Sequence, residues 1–246
     1  MVDEALYFKH FIKAMEFYAL IMAAGSGTRF SGDLPKQYHL INDLTVLDHT
    51  LNAFKAVIQD QNIVVVADKD HANYLNDTCK TSFENITIIH GSDSRNKSVH
   101  NGLKSLSKKL NKENKTCVLI HDGARCLIKP EDIKRVMTQL QKNQTSLSMA
   151  RSVTDSLCMA DKNHKIHSSV NRDKVYALET PQAFIFEDIW QVHQNAKQDH
   201  IQNFSDDTSL MRHYGYDVEI IENHAPNFKI TYPHDLEIAR SILNAK

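Results

Sequence analysis

The chain has 246 residues, of which 41% are hydrophobic and 24% are charged, a composition that excludes a disordered or fibrous protein. Its 29 basic and 30 acidic side chains give a formal net charge of -1, so no global field attracts nucleic acid or an anionic membrane surface. The four cysteines lie far apart without a CxxC pair, which excludes a zinc ribbon and favours a reduced, cytoplasmic protein.

The chain is expected to form one domain without a membrane span. No apolar run reaches the ~20 residues that a transmembrane helix needs. Residues 1–16 have apolar positions interrupted by acids and lysines, which is typical of a short amphipathic helix rather than a signal peptide. We therefore treat residues 1–16 as an N-terminal extension and residues 17–246 as a single domain.

Strand and helix patterns alternate through the first half of the chain. Residues 18–23 form an apolar run that ends at a glycine-containing loop, which is typical of a buried strand. The other predicted elements are strands at residues 62–67, 86–89 and 116–120 and helices at residues 47–57 and 98–110. This alternation predicts an α/β fold with a Rossmann-like, mainly parallel sheet and helices on both faces.

The second half begins with a predicted helix at residues 131–142, directly after Pro130. Short β-type runs and a polar turn then share residues 147–175, a pattern that favours a hairpin over another βα unit. We expect a protruding β-arm near residues 150–178 that pairs with a second subunit, which makes the protein a homodimer. The remaining predicted elements are helices at residues 187–198, 207–214 and 233–243 and a strand at residues 218–221.

The strongest chemical signal follows the first predicted strand. It reads AAGSGTRF at residues 23–30, and PKQY follows at residues 35–38. Glycines let backbone N–H groups approach phosphate oxygens closely, and Arg29 and Lys36 can neutralise the charge of the same ligand. The run has neither the ending of a P-loop nor the third glycine of a dinucleotide fingerprint, and an ordinary strand-to-helix turn is the alternative.

Both segments resemble the nucleotide-binding signature of the sugar-nucleotidyltransferase superfamily, in particular the 2-C-methyl-D-erythritol 4-phosphate cytidylyltransferase family. Five later segments agree with that family in order: GSDSRNKSV at 91–99, HDGAR at 121–125, ETPQAF at 179–184, SDDTS at 205–209 and NFKIT at 227–231. The resemblance implies an enzyme that transfers CMP from CTP to 2-C-methyl-D-erythritol 4-phosphate and releases pyrophosphate. It also implies a place in the non-mevalonate synthesis of isoprenoid precursors.

The resemblance further implies roles for residues at matching positions. Arg29, Lys36 and Lys229 are expected to be catalytic, because they bring positive charge to the triphosphate and its α-phosphorus. The positions implied to bind CTP are Ala23, Ala24, Gly25, Gly27, Ser92, Asp93 and Ser98. The positions implied to hold the sugar phosphate or the transferring phosphate are Asp122, Arg125, Arg172, Thr180 and Ser205. Asp122 is also the implied magnesium ligand, so Mg²⁺ is the expected cofactor.

Each of these residues also has a simpler structural explanation. Asp122 follows an apolar strand and could cap the next turn, a common role for aspartate. Arg125 and Arg172 could form surface ion pairs, and Lys229 could be a solvated lysine on an edge strand. The agreement of the other motifs in register favours the functional interpretation.

The acceptor is the least determined part of the predicted reaction. Gly123, Cys126, Asn171 and Ser205 depart from the usual residues of the family, and all four fall on the acceptor side of the site. The nearest alternative is a ribitol-5-phosphate cytidylyltransferase, which shares the fold and the nucleotide signature. A nucleotide-binding regulatory domain without catalysis is a further, less favoured alternative, because Lys36, Asp122 and Lys229 are all retained.

Overall fold

A computed structural model describes residues 15–25, 30, 34–69, 75, 79, 83–110, 114–201 and 204–245. A seven-stranded sheet runs through its centre in the order β11-β7-β10-β6-β1-β4-β5. These strands are β1 (Glu16–Ala23), β4 (Ile63–Ala67), β5 (Thr87–His90), β6 (Thr116–Asp122), β7 (Ser146–Ser152), β10 (Tyr176–Ile185) and β11 (Val218–Glu222). Two smaller hairpins pair β2 (Leu40–Ile41) with β3 (Leu44–Thr45) and β8 (Leu157–Ala160) with β9 (Ile166–Val170).

Six helices complete the described fold. They are α1 (Val46–Lys55), α2 (Arg95–Ser107), α3 (Pro130–Asn143), α4 (Phe186–Gln198), α5 (Asp207–His213) and α6 (Pro233–Asn244). Within the described residues, none of the helices combines the length and apolar character needed to cross a bilayer.

The central sheet is mainly parallel, as the sequence predicts. β1 pairs in parallel with β4 and β6, β4 pairs in parallel with β5, and β7 pairs in parallel with β11. β10 lies antiparallel between β6 and β7 and is the one reversed strand. The carboxyl ends of β1, β4, β5 and β6 therefore meet at one edge of the sheet, which is where ligands of open α/β sheets bind.

Apolar cores cover both faces of the sheet. Successive side chains of a strand point to opposite faces, so Ala19 and Ile21 of β1 pack on the face that α1 and α3 cover. Tyr18 and Leu20 pack on the other face, with residues of α2 and α4. A third cluster, which includes Phe30, packs under α6. Helices on both faces explain why β4, in the parallel part of the sheet, is apolar and buried along its whole length.

Local signals fix several helix starts near the carboxyl edge. The Thr45 hydroxyl accepts the backbone N–H of Asp48, whose carboxylate accepts the N–H of Thr45, so α1 begins with a capping box. Ser94 caps α2 through the N–H of Lys97, and Asp206 caps α5. α3 begins at Pro130 as predicted. The six helices predicted after residue 16 are all present within a few residues of their expected bounds.

The region of the predicted arm divides between two sheets. β8 and β9 form an antiparallel hairpin around the turn at residues 161–165, outside the central sheet. Residues 150–152 instead belong to β7 and residues 176–178 to β10, because these strand ends pair with each other. The segment of residues 147–175, predicted as one arm, therefore contains β7 of the central sheet and the separate β8–β9 hairpin. The strand β10 was not predicted. The reach of the hairpin toward a second subunit stays a prediction.

The first strand starts slightly earlier than expected. Glu16 begins β1, two residues before the predicted strand at residues 18–23, and Met15 packs against the core. The division into an extension of residues 1–16 and a single domain stays a prediction. The amphipathic helix predicted for the extension lies outside the described residues.

Candidate active site

A cleft of about 410 Å³ opens at the carboxyl edge of the central sheet. Residues from β1, β6, α2 and the segment before α6 share its walls. They are Met22, Ala23, Ala24, Gly25, Lys36, Gln37, Asp68, Ser92, Asp93, Ser94, Arg95, Ser98, Asp122, Ala124, Lys229 and Thr231. Most residues that the sequence implied for the nucleotide and for catalysis therefore meet in one place.

Asp122 lies in this cleft at the end of β6, surrounded by three cations. Lys229 Nζ lies 3.1 Å from Asp122 Oδ2, and Arg125 Nε lies 3.4 Å from the same oxygen. Arg95 Nε approaches the other oxygen, Oδ1, at 3.6 Å. Burial alone would raise the pKa of Asp122, but Lys229, Arg95 and Arg125 together hold it far below its ordinary value. Asp122 is therefore a carboxylate at any working pH.

Lys36 and Gln37 form the wall next to the first signature. Lys36 is only 8% exposed, although it lines the cleft, so its ammonium can meet an anion in a largely desolvated place. Gln37 Nε2 donates to the carbonyl of Ala23 at 2.6 Å and to that of Gly25 at 3.4 Å, which holds the end of β1 in place. Gly27 and Arg29 lie outside the described residues.

Another wall is built by the turn between β5 and α2. The Ser98 hydroxyl accepts the backbone N–H of Ser92 at 2.9 Å, so the turn is held by the first turn of the helix. Gly91 is required here, because a Cβ at this position would lie 2.4 Å from the Ala24 Cβ and 3.0 Å from the Ser98 Oγ. Asp93 lines the cleft and is paired with Lys97, which lowers the pKa of Asp93.

Thr180 lies beneath Asp122 rather than on the cleft wall. Its hydroxyl accepts the N–H of Asp122 at 3.0 Å and lies 3.1 Å from His121 Nδ1. His121 Nε2 faces the carbonyl of Arg125 at 3.3 Å, so Nε2 carries the proton and Nδ1 accepts from Thr180. Burial lowers the pKa of His121 to about 3, which keeps its ring neutral. These bonds fix the loop that carries Asp122 and Arg125.

A second buried network positions Lys229. Glu179 is almost fully buried, and its Oε2 accepts from Asn223 at 2.8 Å and from Asn227 at 3.2 Å. Asn227 also donates to the carbonyl of Thr180, and its own carbonyl accepts from Arg125 Nη1 at 2.9 Å. The segment that contains Lys229 is thereby tied to both β10 and the loop after β6.

The predicted acceptor residues divide into two groups. Asp122 lines the cleft, and Arg125 and Thr180 contact it directly. Neither Arg172 nor Ser205 is among the described residues that line the cleft. Arg172 lies in the segment between β9 and β10 and donates to the carbonyl of Thr154 at 2.7 Å. Ser205 is exposed near the start of α5. The roles of Arg172 and Ser205 toward the acceptor stay predictions.

Sequence reasoning missed three residues that shape the cleft. Arg95 lines it and links Asp122 to Asp207, whose Oδ2 lies 2.7 Å from Arg95 Nη1. Arg95 and Asp207 lie inside the GSDSRNKSV and SDDTS segments, but nothing in those letters pairs them across 112 positions. Gln37 lies in PKQY, and its role as an anchor of the β1 end depends on the fold.

The donor set around Asp122 limits the kind of metal site that is possible. The described residues contain no group of three or more His, Cys, Asp or Glu side chains that could enclose a metal ion. Mg²⁺ usually binds through one or two carboxylates and completes its shell with water and substrate phosphates. A single carboxylate facing the cleft fits an ion that a triphosphate shares, and does not fit a metal cage made by the protein alone.

Comparisons with known proteins agree with this geometry. The sequence model of the family described as 2-C-methyl-D-erythritol 4-phosphate cytidylyltransferase matches residues 17–245. A 2-C-methyl-D-erythritol 4-phosphate cytidylyltransferase of Prochlorococcus marinus (strain MIT 9515) is 35% identical over 227 residues, covering 92% of this chain and 98% of that protein. A bifunctional enzyme IspD/IspF of Bartonella bacilliformis is 35% identical over 93% of this chain, which spans 57% of that longer protein.

Solved structures share the fold as well. A 4-diphosphocytidyl-2C-methyl-D-erythritol synthase from Anaerococcus prevotii superposes with a TM-score of 0.77 at 27% identity, covering 94% of this chain and 96% of that chain. A 2-C-methyl-D-erythritol 4-phosphate cytidylyltransferase from Thermus thermophilus superposes with a TM-score of 0.73 at 25% identity, covering 94% of this chain and all of that one.

Proposed function

This chain belongs to the 2-C-methyl-D-erythritol 4-phosphate cytidylyltransferase family, and from that premise we propose how its cleft carries out the reaction. The protein is a cytidylyltransferase that transfers CMP from CTP to 2-C-methyl-D-erythritol 4-phosphate in isoprenoid precursor synthesis. The family match does not favour ribitol 5-phosphate as the acceptor. The observation that carries the mechanism is the meeting of Lys36, Asp122 and Lys229 in one cleft.

The proposed reaction is a direct phosphoryl displacement. A phosphate oxygen of the acceptor attacks the α-phosphorus of CTP, and the bond from that phosphorus to the β-phosphate oxygen breaks, which releases pyrophosphate. The attacking oxygen is already an anion, so no general base is needed. The obstacle is the repulsion between two anions, and positioned cations remove it.

The side chains of the cleft divide this task between its two walls. Lys36 and Lys229 both line the cleft and supply ammonium groups to the phosphates, and Arg125 supports the acceptor phosphate beside Asp122. The Ala23–Gly25 backbone and the turn with Ser92, Asp93 and Ser98 hold the nucleoside. Arg29 retains its proposed role at the pyrophosphate on the strength of the sequence motif alone.

Asp122 would hold Mg²⁺ together with the triphosphate, and the ion would offset negative charge on the phosphate oxygens when bound. Three cations already neutralise Asp122 in the free protein. The affinity of this site for magnesium alone is therefore expected to be low, and the triphosphate is expected to raise it.

The test of this function is release of pyrophosphate from CTP, with 2-C-methyl-D-erythritol 4-phosphate and ribitol 5-phosphate offered separately. We expect release with the first acceptor, loss of release on chelation of magnesium, and little release with CTP alone. Turnover with ribitol 5-phosphate and none with the erythritol phosphate would contradict the assignment of the acceptor.

We also propose that the enzyme is a homodimer in which the β8–β9 hairpin contacts the partner. Met159 is 59% exposed and Ile166 is 74% exposed on this hairpin. A lone two-stranded hairpin is marginal in water and gains stability when another surface covers it. Arg172 follows β9, so the same contact would carry it toward the partner's cleft. The four unpaired cysteines support a cytoplasmic location as part of this proposal.

A further inference from the structure

Four side chains from four elements form a line that ends in the cleft. His193 of α4 lies with Nε2 3.2 Å from Asp207 Oδ1, at the start of α5. Asp207 Oδ2 lies 2.7 Å from Nη1 of Arg95, in the first turn of α2. Arg95 Nε then faces Asp122 Oδ1 at 3.6 Å, at the end of β6. We call these four residues the Arg95 network.

The outer half of the Arg95 network is withdrawn from solvent and from substrate. Asp207 is 1% exposed and His193 is 4% exposed, and neither is among the described residues that line the cleft. Burial alone would raise the pKa of Asp207, but Arg95 and the hydrogen bond from His193 hold it below its ordinary value. Asp207 is therefore a buried anion that is met by one cation and one hydrogen-bond donor.

A buried ion pair of this kind is a weak means of stabilising a fold, since well-packed apolar residues of similar volume often do as well. Its advantage is geometric. A guanidinium is a planar fork of five N–H donors, and a carboxylate that holds one end of the fork sets the direction of the rest. Here Asp207 holds Nη1 at 2.7 Å, so Arg95 reaches Asp122 only at 3.6 Å, through Nε.

His193 performs the corresponding task for Asp207. A carboxylate oxygen only accepts hydrogen bonds, so His193 donates from Nε2. The His193 ring is buried, and the ring of His100 lies 6.2 Å away and stacks on Trp190. His193 thus occupies Oδ1 of Asp207 and leaves Oδ2 to Arg95.

We propose that Asp207 and His193 are positioning residues for nucleotidyl transfer, which act only through the orientation of Arg95. By holding the Arg95 guanidinium, they prevent a bidentate pairing between Arg95 and Asp122 that would block the Asp122 carboxylate. They also keep a fixed cation on the wall of the cleft beside Ser92, Ser94 and Ser98. This inference rests on the proposed function of the cleft.

The test is a double-mutant cycle in the full-length enzyme, with kcat and KM for CTP and the calorimetric affinity for CTP with magnesium as readouts. We expect Asp207→Asn to lower kcat/KM by about 30-fold to 100-fold, and Arg95→Ala to lower it at least as far. In the Arg95→Ala background, Asp207→Asn should have almost no further effect. His193→Leu should lower kcat/KM by about tenfold, and His193→Gln, which keeps a donor, should restore most of it.

Asp48→Asn is the matched control, because Asp48 is a buried aspartate that caps α1 and does not border the cleft. It should lower thermal stability while kinetics at a temperature where it is folded stay within about twofold of wild type. Two results would overturn the inference. One is a double variant in which the separate losses of kcat/KM from Asp207→Asn and Arg95→Ala multiply, and the other is wild-type kinetics in Asp207→Asn. A wild-type protein that binds CTP but transfers nothing would overturn the proposed function. In that case the double-mutant cycle, measured as calorimetric affinity for CTP, would still decide the role of Asp207.

Discussion

Three cations around one buried carboxylate dominate the chemistry of the cleft at the scale of single residues. Lys229, Arg125 and Arg95 lie 3.1, 3.4 and 3.6 Å from the oxygens of Asp122. Such a cluster is preorganised for a ligand that carries several negative charges, because the cations are already held in place before it binds. Neutral or singly charged ligands would gain little from it. The cluster therefore explains the choice of a triphosphate and a phosphate as substrates.

Lys36 offers the sharpest test of this electrostatic account. Replacing it in Lys36→Ala should lower turnover by about 100-fold to 1,000-fold or more, because a preorganised charge is removed from the transition state. Its fold should persist, as judged by circular dichroism and thermal melting. Lys55→Ala is the control, since Lys55 forms a surface ion pair with Asp60 at 3.0 Å, and its turnover should match wild type. Wild-type turnover in Lys36→Ala would show that the catalytic lysine is misassigned.

Thr180 tests the difference between contact with substrate and support of the site. Thr180→Val keeps the shape but leaves the Asp122 N–H and His121 Nδ1 unpaired in a buried place. We expect a loss of about 1–3 kcal/mol in the free energy of unfolding, measured by urea denaturation, together with reduced turnover. Thr180→Ser keeps the hydroxyl and should retain most of both. A Thr180→Val protein as stable as wild type would remove the supporting role.

At the scale of elements, the cleft is made where the ends of β1 and β5 approach each other. Gly91 allows this approach, since a Cβ there would lie 2.4 Å from the Ala24 Cβ. Its N–H donates to the carbonyl of Ala67 at 2.8 Å, which ties the turn to β4. The nucleoside wall therefore depends on the close approach of Gly91 to Ala24 as well as on the Ser98 hydroxyl.

Gly91→Ala should separate these two strand ends. Overpacking of this kind costs about 1–3 kcal/mol, and we expect a matching fall in the melting temperature and a raised KM for CTP. His90→Ala, at the exposed neighbouring position, should leave both quantities close to wild type. An unchanged KM for CTP in Gly91→Ala would mean that Ala24 does not border the bound nucleoside.

The junction of α2, α4 and α5 should also respond to pH. The charged and titratable groups that face Asp207 are Arg95 of α2 and His193 of α4, and Asp206 next to it acts on Arg95. Because the pKa of Asp207 is lowered in the folded state, its stabilising contribution is complete above the unfolded pKa of about 4 and is lost as the pH falls through the folded value.

Asp207→Asn should therefore destabilise the protein most at pH 7. The difference in unfolding free energy between the variant and wild type should shrink as the pH falls below about 4. Guanidinium denaturation at pH 7, 5 and 3.5 would measure it. A difference that stays constant over this range would show that the lowered pKa does not contribute to stability.

At the scale of the whole molecule, most residues of the separate β8–β9 hairpin are exposed within the described part of the chain. A homodimer would give this hairpin a surface to pack on. Sedimentation velocity should then show about twice the 28.1 kDa chain mass, and Ile166→Asp should shift the protein toward monomer. A wild-type monomer at micromolar concentration would remove the dimer proposal.

Complementation between two inactive variants would decide whether Arg172 serves the partner's cleft. Lys36→Ala and Arg172→Ala homodimers should each be nearly inactive. If Arg172 acts across the dimer, a mixed dimer contains one site with both defects and one with neither, so mixing the variants should restore about a quarter of the wild-type activity. If Arg172 acts within its own chain, every mixed site keeps one defect and mixing restores nothing.

The sequence by itself determined the α/β class, most helix and strand positions and several, though not all, of the charged residues that line the cleft. It could do so because helix and strand periodicity and the glycine-containing motif are local properties. The mainly parallel sheet followed from the alternation of those elements, and Lys36, Asp122 and Lys229 were identified from motifs that lie far apart in the chain.

Only the tertiary structure decided how these motifs meet. The antiparallel insertion of β10, the support of Asp122 by Thr180 and the pairing of Arg95 with Asp207 all join residues that are distant in sequence. No local pattern records such contacts, because their free energy depends on burial and on geometry that exists only once the sheet has formed. The contact of Arg172 with the carbonyl of Thr154 is decided at the same level, because it joins two segments on either side of the β8–β9 hairpin.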